Sequence, residues 1–281
     1  MPADWREQST RRSRAEVIDS TVPQAARVAN YLDGGRDNFE ADRKAAQAIV
    51  AAAPVIASIV PAWHAFLMRV TRYLVREAGV RQFLHVATSL AASNYADEYV
   101  WSVDPGCRLV FVGRDPQMLA HARALMRPEP AAAAGYPDGA IGYVEADMRD
   151  ADMIVAGARP TLDFSQPVAV TLAFVLCFIA DTAEAAHVVS SLVDAVPSGS
   201  HVVIHHPASE LDPALAKAVR QWNRGSAQPV TLRSRDEVAS LVAGLDLVPP
   251  GLVPIDEWRP ARSDPRSDAV IPMHGLVARK P

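Results

Sequence analysis

The chain has 281 residues, 49% of them hydrophobic and 21% charged, with a formal charge of −4 and a pI near 6.1. That length can bury a full core, and the acidic balance leaves no basic footprint for nucleic acid. Two cysteines, Cys107 and Cys177, stand far apart without a C-x-x-C pattern, which argues against a disulfide framework or a metal site and fits a reducing compartment.

Residues 1–20 mix Arg, Glu, Asp and Ser without an apolar run, the pattern of a frayed polar arm and not of a signal peptide. Residues 21–78 read as a helical cap. A short helix over 25–32 stops at the Gly34-Gly35 pair. A second, capped by Asp37 or Asn38, runs over 41–53 until Pro54 halts it. A third runs from Pro61, a residue suited to a first helical turn, to Glu77, and Gly79 closes it.

From residue 79 to 281 the period changes. Strands over 81–87, 109–112, 141–145, 168–175 and 201–205 are interleaved with helices over 93–103, 116–126 and 183–196. An Ala/Gly/Pro loop fills 131–139. Helices over 213–224 and 236–242 precede final strands near 247–253 and 270–278. This alternation predicts an α/β, Rossmann-like, doubly wound sheet. Ligands in such sheets bind outside the carboxyl ends of the strands, near the switch in strand order, here residues 85–95 and 113–116. The apolar stretch over 168–180 is too short for a bilayer span and reads as a buried strand, so a cytoplasmic protein with no membrane partner is expected.

The run GGRDNF at 34–39, with Asp42 and Arg43 behind it, resembles the N-terminal motif of a bacterial, mainly actinobacterial, family of S-adenosylmethionine-dependent methyltransferases. The similarity continues through Arg27-Val28, Tyr31-Leu32, Asp115-Pro116, Glu145-Ala146-Asp147 and Trp258-Arg259-Pro260, and covers roughly residues 21–280. The resemblance implies a class I methyltransferase sheet, mostly parallel with an antiparallel last strand, under a helical cap. It also implies a small-molecule substrate in secondary metabolism and S-adenosylmethionine as cofactor. Gly34, Gly35, Asp37 and Asn38 then stand close to the cofactor, with Tyr31 close to the substrate.

Departures from the family pattern are concentrated at the implied cofactor site. The pattern D-[IL]-G-[TS]-G-[LI]-P-T reads His85-Val86-Ala87-Thr88-Ser89-Leu90-Ala91-Ala92, so an acid has become His85 and two glycines have become Ala87 and Ser89. At the second strand V-D-N-D-P reads Val112-Gly113-Arg114-Asp115-Pro116, placing Gly113 where an acid receives the ribose. Asp147 keeps the adenine-contact position. Charge-assisted hydrogen bonds are each worth ~1.5–3 kcal/mol, and losing ~3–5 kcal/mol weakens binding roughly 10²–10³-fold. Asp115, Glu145 or a protonated His85 are the available replacements, although Asp115 equally suits a helix cap ahead of Pro116.

Other candidates come from the residues themselves. His201, His205 and His206 share a strand, but residues four apart stand ~13 Å apart and neighbours face opposite ways, so no metal site is expected. His205 or His206, at a strand's carboxyl end, suits a general base or a backbone-bonded structural histidine. In the cap, an Asn-Arg pair of the family reads Trp63-His64; after the fourth strand, a His-Phe pair reads Cys177-Phe178. Trp63 and Cys177 are candidate substrate contacts and His64 a second candidate base, with core packing as the alternative for Trp63 and an inert buried thiol for Cys177. Residues 233–237 read as a capping box. No G-x-S-x-G elbow or P-loop is present. Two functions remain open: methyl transfer to a small molecule with weakened or altered cofactor binding, or a reassigned pocket serving cofactor-free rearrangement or cyclisation, ligand binding or regulation.

Overall fold

A computed structural model describes residues 19–87, 100–113, 140–262, 264 and 270–281. Ser89, Asp115, the helix expected over 116–126 and the loop over 131–139 lie outside the described residues; of the helix expected over 93–103, residues 100–103 are described and are helical. The strands are β1 (Gln82–Ala87), β2 (Arg108–Gly113), β3 (Ile141–Glu145), β4 (Ala169–Ala173), β5 (His201–Pro207), β6 (Asp246–Leu247), β7 (Val253–Pro254) and β8 (Met273–Arg279). They form one sheet in the order β3-β2-β1-β4-β5-β8-β6, with β7 also on β8. Strands β1 to β5 pair in parallel, and β8 runs antiparallel to its neighbours. Chain order reverses between β1 and β4, which places the ligand crevice at their carboxyl ends.

The helices are α1 (Ala25–Leu32), α2 (Glu40–Ala52), α3 (Ile56–Arg76), α4 (Ala151–Ala158), α5 (Thr182–Asp194), α6 (Pro213–Gly225) and α7 (Arg235–Ser240). Side chains alternate across the sheet because successive Cβ atoms leave a strand on opposite faces. Leu84, Val86, Val110, Val112, Leu172 and Ile204 enter the core shared with α4, α5 and α7. Phe83, Leu109, Phe111, Val203 and Val277 meet Phe66, Val70 and Leu74 of α3 on the other face. Gly275 is needed there, since a Cβ on it would lie 2.8 Å from Ile255 and 3.0 Å from the Phe66 ring. Helix α6 joins α1 and α2 through Val28, Ala46, Trp222 and Val230, and packs with Ala53 and Ile56 through Leu215 and Ala218.

Several boundaries differ from the sequence reading. Helix α2 begins after Phe39, and its free amide is met by Asp42, whose carboxylate accepts from Phe39 N–H at 2.8 Å and Gln24 N–H at 2.9 Å. Neither Asp37 nor Asn38 caps it. Asp42 is fully buried and pairs with Arg27 at 2.8 Å. Helix α3 begins at Ile56, so Pro61 lies inside it; burial of Ile56 and Val60 outweighs the single backbone bond that proline forfeits. Helix α4 has no counterpart in the sequence reading, although Asp150 caps it by accepting from Met153 N–H at 3.0 Å. The strand expected over 247–253 resolves into the short β6 and β7. Ser234 and Glu237 form the expected capping box on α7. No single described helix is long and apolar enough to cross a membrane.

Candidate functional site

The 34–39 motif folds as a turn around Asn30, a residue the sequence reading did not single out. Gly34 takes φ +80°, and a Cβ on Gly35 would meet Asn30 Nδ2 at 2.3 Å. With the side chain of Asn30 packed there, its Oδ1 accepts from Asp37 N–H at 2.9 Å and from Asn38 Nδ2 at 3.0 Å. The motif residues are thus explained first by the turn they build. Tyr31 Oη accepts from Gln47 Nε2 at 3.2 Å, and Tyr31 is not among the residues lining the cavity described below. Beside the turn, Asp33 Oδ1 lies 3.1 Å from His64 Nε2, tying α1 to α3. Burial lowers the His64 pKa, and the Asp33 carboxylate opposes that effect.

At the switch point, β1 ends at Ala87 and β2 at Gly113. His85 belongs to the face covered by α3. It lines a small space of about 30 Å³ with Thr71 and Thr171, and its ring meets Phe111 edge-on at 5.7 Å. Its Nε2 has no hydrogen-bond partner among the described residues, and burial pushes its pKa down to about 4. Gly113 aligns with Glu145, which is exposed. Asp147 Oδ1 accepts from Arg149 N–H at 2.9 Å.

A larger cavity, about 130 Å³, lies between α1, α3, α6 and the carboxyl ends of β4 and β5. Its wall includes Val28, Leu32, Ile59, Trp63, Phe174 and Trp222, together with His205, and no charged residue is among its described lining. His205 is 1% exposed. Its ring lies 5.1 Å from Trp63, 6.2 Å from Phe66 and 6.4 Å from Phe174. Neither of its ring nitrogens has a hydrogen-bond partner among the described residues, and neither does Trp63 Nε1. Burial, with His85, His206 and His64 nearby, drives the His205 pKa to about 3. Such a ring stays neutral near pH 7 and is a weak base. Phe174 adopts φ +53°, a conformation that costs a non-glycine residue ~1–2 kcal/mol.

Cys177 packs behind this wall with Val28 and Trp222 and does not line the cavity. Its Sγ lies 3.6 Å from Phe174 O, and burial raises its pKa far above the ordinary thiol value, which makes it an inert thiol. On the opposite sheet face, Arg233 is fully buried. It donates to Leu176 O at 2.9 Å, Ile179 O at 2.6 Å and Thr182 Oγ1 at 3.1 Å. His206 completes the set: with Nδ1 3.0 Å from Pro207 O, Nε2 is left to accept from Arg233 at 2.8 Å. The guanidinium thereby holds the turn over 176–179, which follows the cavity residue Phe174, against β5. His205 and His206 face opposite ways, the first toward Trp63 and the second toward Arg233. Among the described residues there is no group of three or more His, Cys, Asp or Glu side chains placed to hold a metal.

A profile of a family described as S-adenosyl methyltransferase matches residues 11–281. The crystal structure of a DUF574 family protein from Streptomyces avermitilis MA-4680 is 33% identical, with a TM-score of 0.85, covering 94% of this chain and 100% of that one. A methyltransferase candidate from Thermobifida fusca YX is 29% identical, with a TM-score of 0.83, covering 95% of this chain and 98% of that one. An O-methyltransferase family protein from Burkholderia thailandensis shares the fold at 16% identity and a TM-score of 0.51, covering 98% and 69% of the two chains. None of the curated proteins matches.

Proposed function

The chain belongs to the S-adenosyl methyltransferase family, and from that premise we propose that it acts on a small molecule of secondary metabolism, with binding of S-adenosylmethionine weakened or altered. The observation that carries this reading is the pair of strand ends at β1 and β2. His85 turns a neutral ring into the core beneath α3, and Gly113 has no side chain to accept from a ribose diol. Glu145 is exposed across from Gly113, and Asp147 is engaged by Arg149. The described residues therefore do not fit the cofactor in the way the resemblance implies, and no methyl-transfer step follows from this geometry. Of the two candidate bases, His64 is the better proposal, since Asp33 orients it and favours its protonated form.

Calorimetric titration with S-adenosylmethionine and S-adenosylhomocysteine tests this reading. Dissociation constants of roughly 0.1–1 mM are expected for the natural chain, and Gly113→Asp should tighten binding about tenfold or more by restoring a charge-assisted acceptor. Micromolar binding by the natural chain would overturn it.

A second reading keeps the fold and assigns the pocket to cofactor-free rearrangement, cyclisation or ligand binding. It is favoured by the cavity at His205, whose described lining is apolar and carries no charged residue. Crystals soaked with S-adenosylhomocysteine separate the two: density beside residues 85–92 and 113–115 supports the first, and its absence the second.

A further inference from the structure

We propose that the cavity at the carboxyl ends of β4 and β5 takes the uncharged hydrocarbon end of a small molecule, alkyl or aryl, and leaves the polar remainder of that molecule outside. The proposal rests on the small-molecule reading above and names the group by which the ligand is held.

The surface of the cavity is almost wholly apolar. Val28, Leu32, Ile59 and Met273 supply aliphatic groups, and no Asp, Glu, Lys or Arg is among the described residues lining it. The ring nitrogens of its wall are closed to it. Trp63 Nε1 and both His205 nitrogens are fully buried, and Trp222 has given its Nε1–H to Gln228 O at 2.8 Å. These rings offer the cavity carbon and nothing else. A charged group placed there would lose its hydration without a counter-ion, and a hydroxyl or amide would lose it without a hydrogen bond. Recognition is therefore left to shape and to the removal of apolar surface from water.

The cavity is half-open to solvent. Ala29, Leu32, Ile49, Ile59 and Val219 of its lining are partly exposed, whereas Trp63 and His205 are buried. Its floor is thus the sheet, and its mouth lies among α1, α2, α3 and α6. The volume, about 130 Å³, is close to the ~150 Å³ of an engineered apolar cavity that takes up benzene, and the opening lets a longer molecule continue into solvent. An apolar concavity of this kind is the form that small-molecule sites take. Phe174 provides an independent pointer to function. This wall residue holds φ +53°, and backbone strain clusters at ligand sites.

Calorimetric titration of the full chain with the straight-chain alcohols butanol, hexanol and octanol, and with the octane diol hydroxylated at both ends, tests the proposal. Affinity should rise about 3- to 4-fold for each methylene added from butanol to octanol. The diol has no apolar end and should bind about tenfold or more weakly than octanol. Ala218→Leu fills the cavity from α6, and Ala29→Leu narrows it at its partly exposed mouth; each should weaken octanol binding about tenfold or more. No binding of octanol by the natural chain, or an affinity independent of alcohol length, would overturn the proposal. Equal affinity for the diol would do the same, because the cavity would then satisfy a hydroxyl. Octanol binding unchanged in a folded Ala29→Leu chain would put the alcohol elsewhere and overturn the site, even if Ala218→Leu fails to fold. These titrations contain no cofactor, so they do not depend on the result for Gly113→Asp and the two proposals fail separately.

Discussion

His64 and Gly35 show what a single side chain does in this cap. Removal of its carboxylate partner in Asp33→Asn takes away the effect that opposes burial, and burial lowers the His64 pKa. NMR titration should therefore find the His64 pKa lower in that variant than in the natural chain; an unchanged value would mean that Asp33 does not act on the ring. Gly35→Ala places a Cβ against the Asn30 amide at 2.3 Å. Displacing Asn30 breaks the acceptor that holds Asp37 and Asn38, and a loss of about 1–3 kcal/mol is expected in chemical denaturation. Trp63 and His205, candidates marked in the sequence by a cap helix and a strand end, line one cavity in the structure. Asn30 and Asp33 were not so marked. Their work is a hydrogen bond to a turn amide and one to a distant ring, and such bonds leave no periodic trace along a chain.

Among the elements, α1 and α2 are joined by a buried ion pair, and the cap over the cavity depends on it. Arg27 is 3% exposed and Asp42 0%, and Asp42 also satisfies the amides of Gln24 and Phe39. In Asp42→Ala the Arg27 guanidinium stays buried without its partner, which costs about 3–5 kcal/mol. The double variant Arg27→Met with Asp42→Ala should recover part of that loss, because no charge is left stranded; denaturation curves for both variants measure the difference. If the single and double variants are equally destabilised, Asp42 acts through the two amides and not through Arg27. Element existence was readable wherever apolar periodicity was strong, as in α1 and in β1 to β5. Boundaries were less so. Pro61 was read as a start, but apolar residues ahead of it extend α3 back to Ile56, and the residue that caps α2 lies inside the helix, where Asp42 serves both as cap and as ion pair.

For the whole molecule, the sheet has a consequence for pH. His85, His201, His205 and His206 are buried on its strands, with pKa values pushed from 6.5 to about 4, 4, 3 and 3, burial being the largest cause for each. In the folded chain these rings are neutral down to about pH 4, while in the unfolded chain they take up protons near 6.5. Below 6.5 the unfolded state therefore binds more protons, and stability falls as pH falls; above 6.5 their contribution is fully present. Each such histidine removes about 1.4 kcal/mol per pH unit across that window. Melting temperature should be nearly level from pH 7 to 8 and drop steeply from 6.5 toward 5. Replacing His205 with Phe removes one of the titrating groups, so the slope should become shallower in that variant. A melting temperature equal at pH 5 and pH 7 would mean that these histidines are not held neutral by the fold.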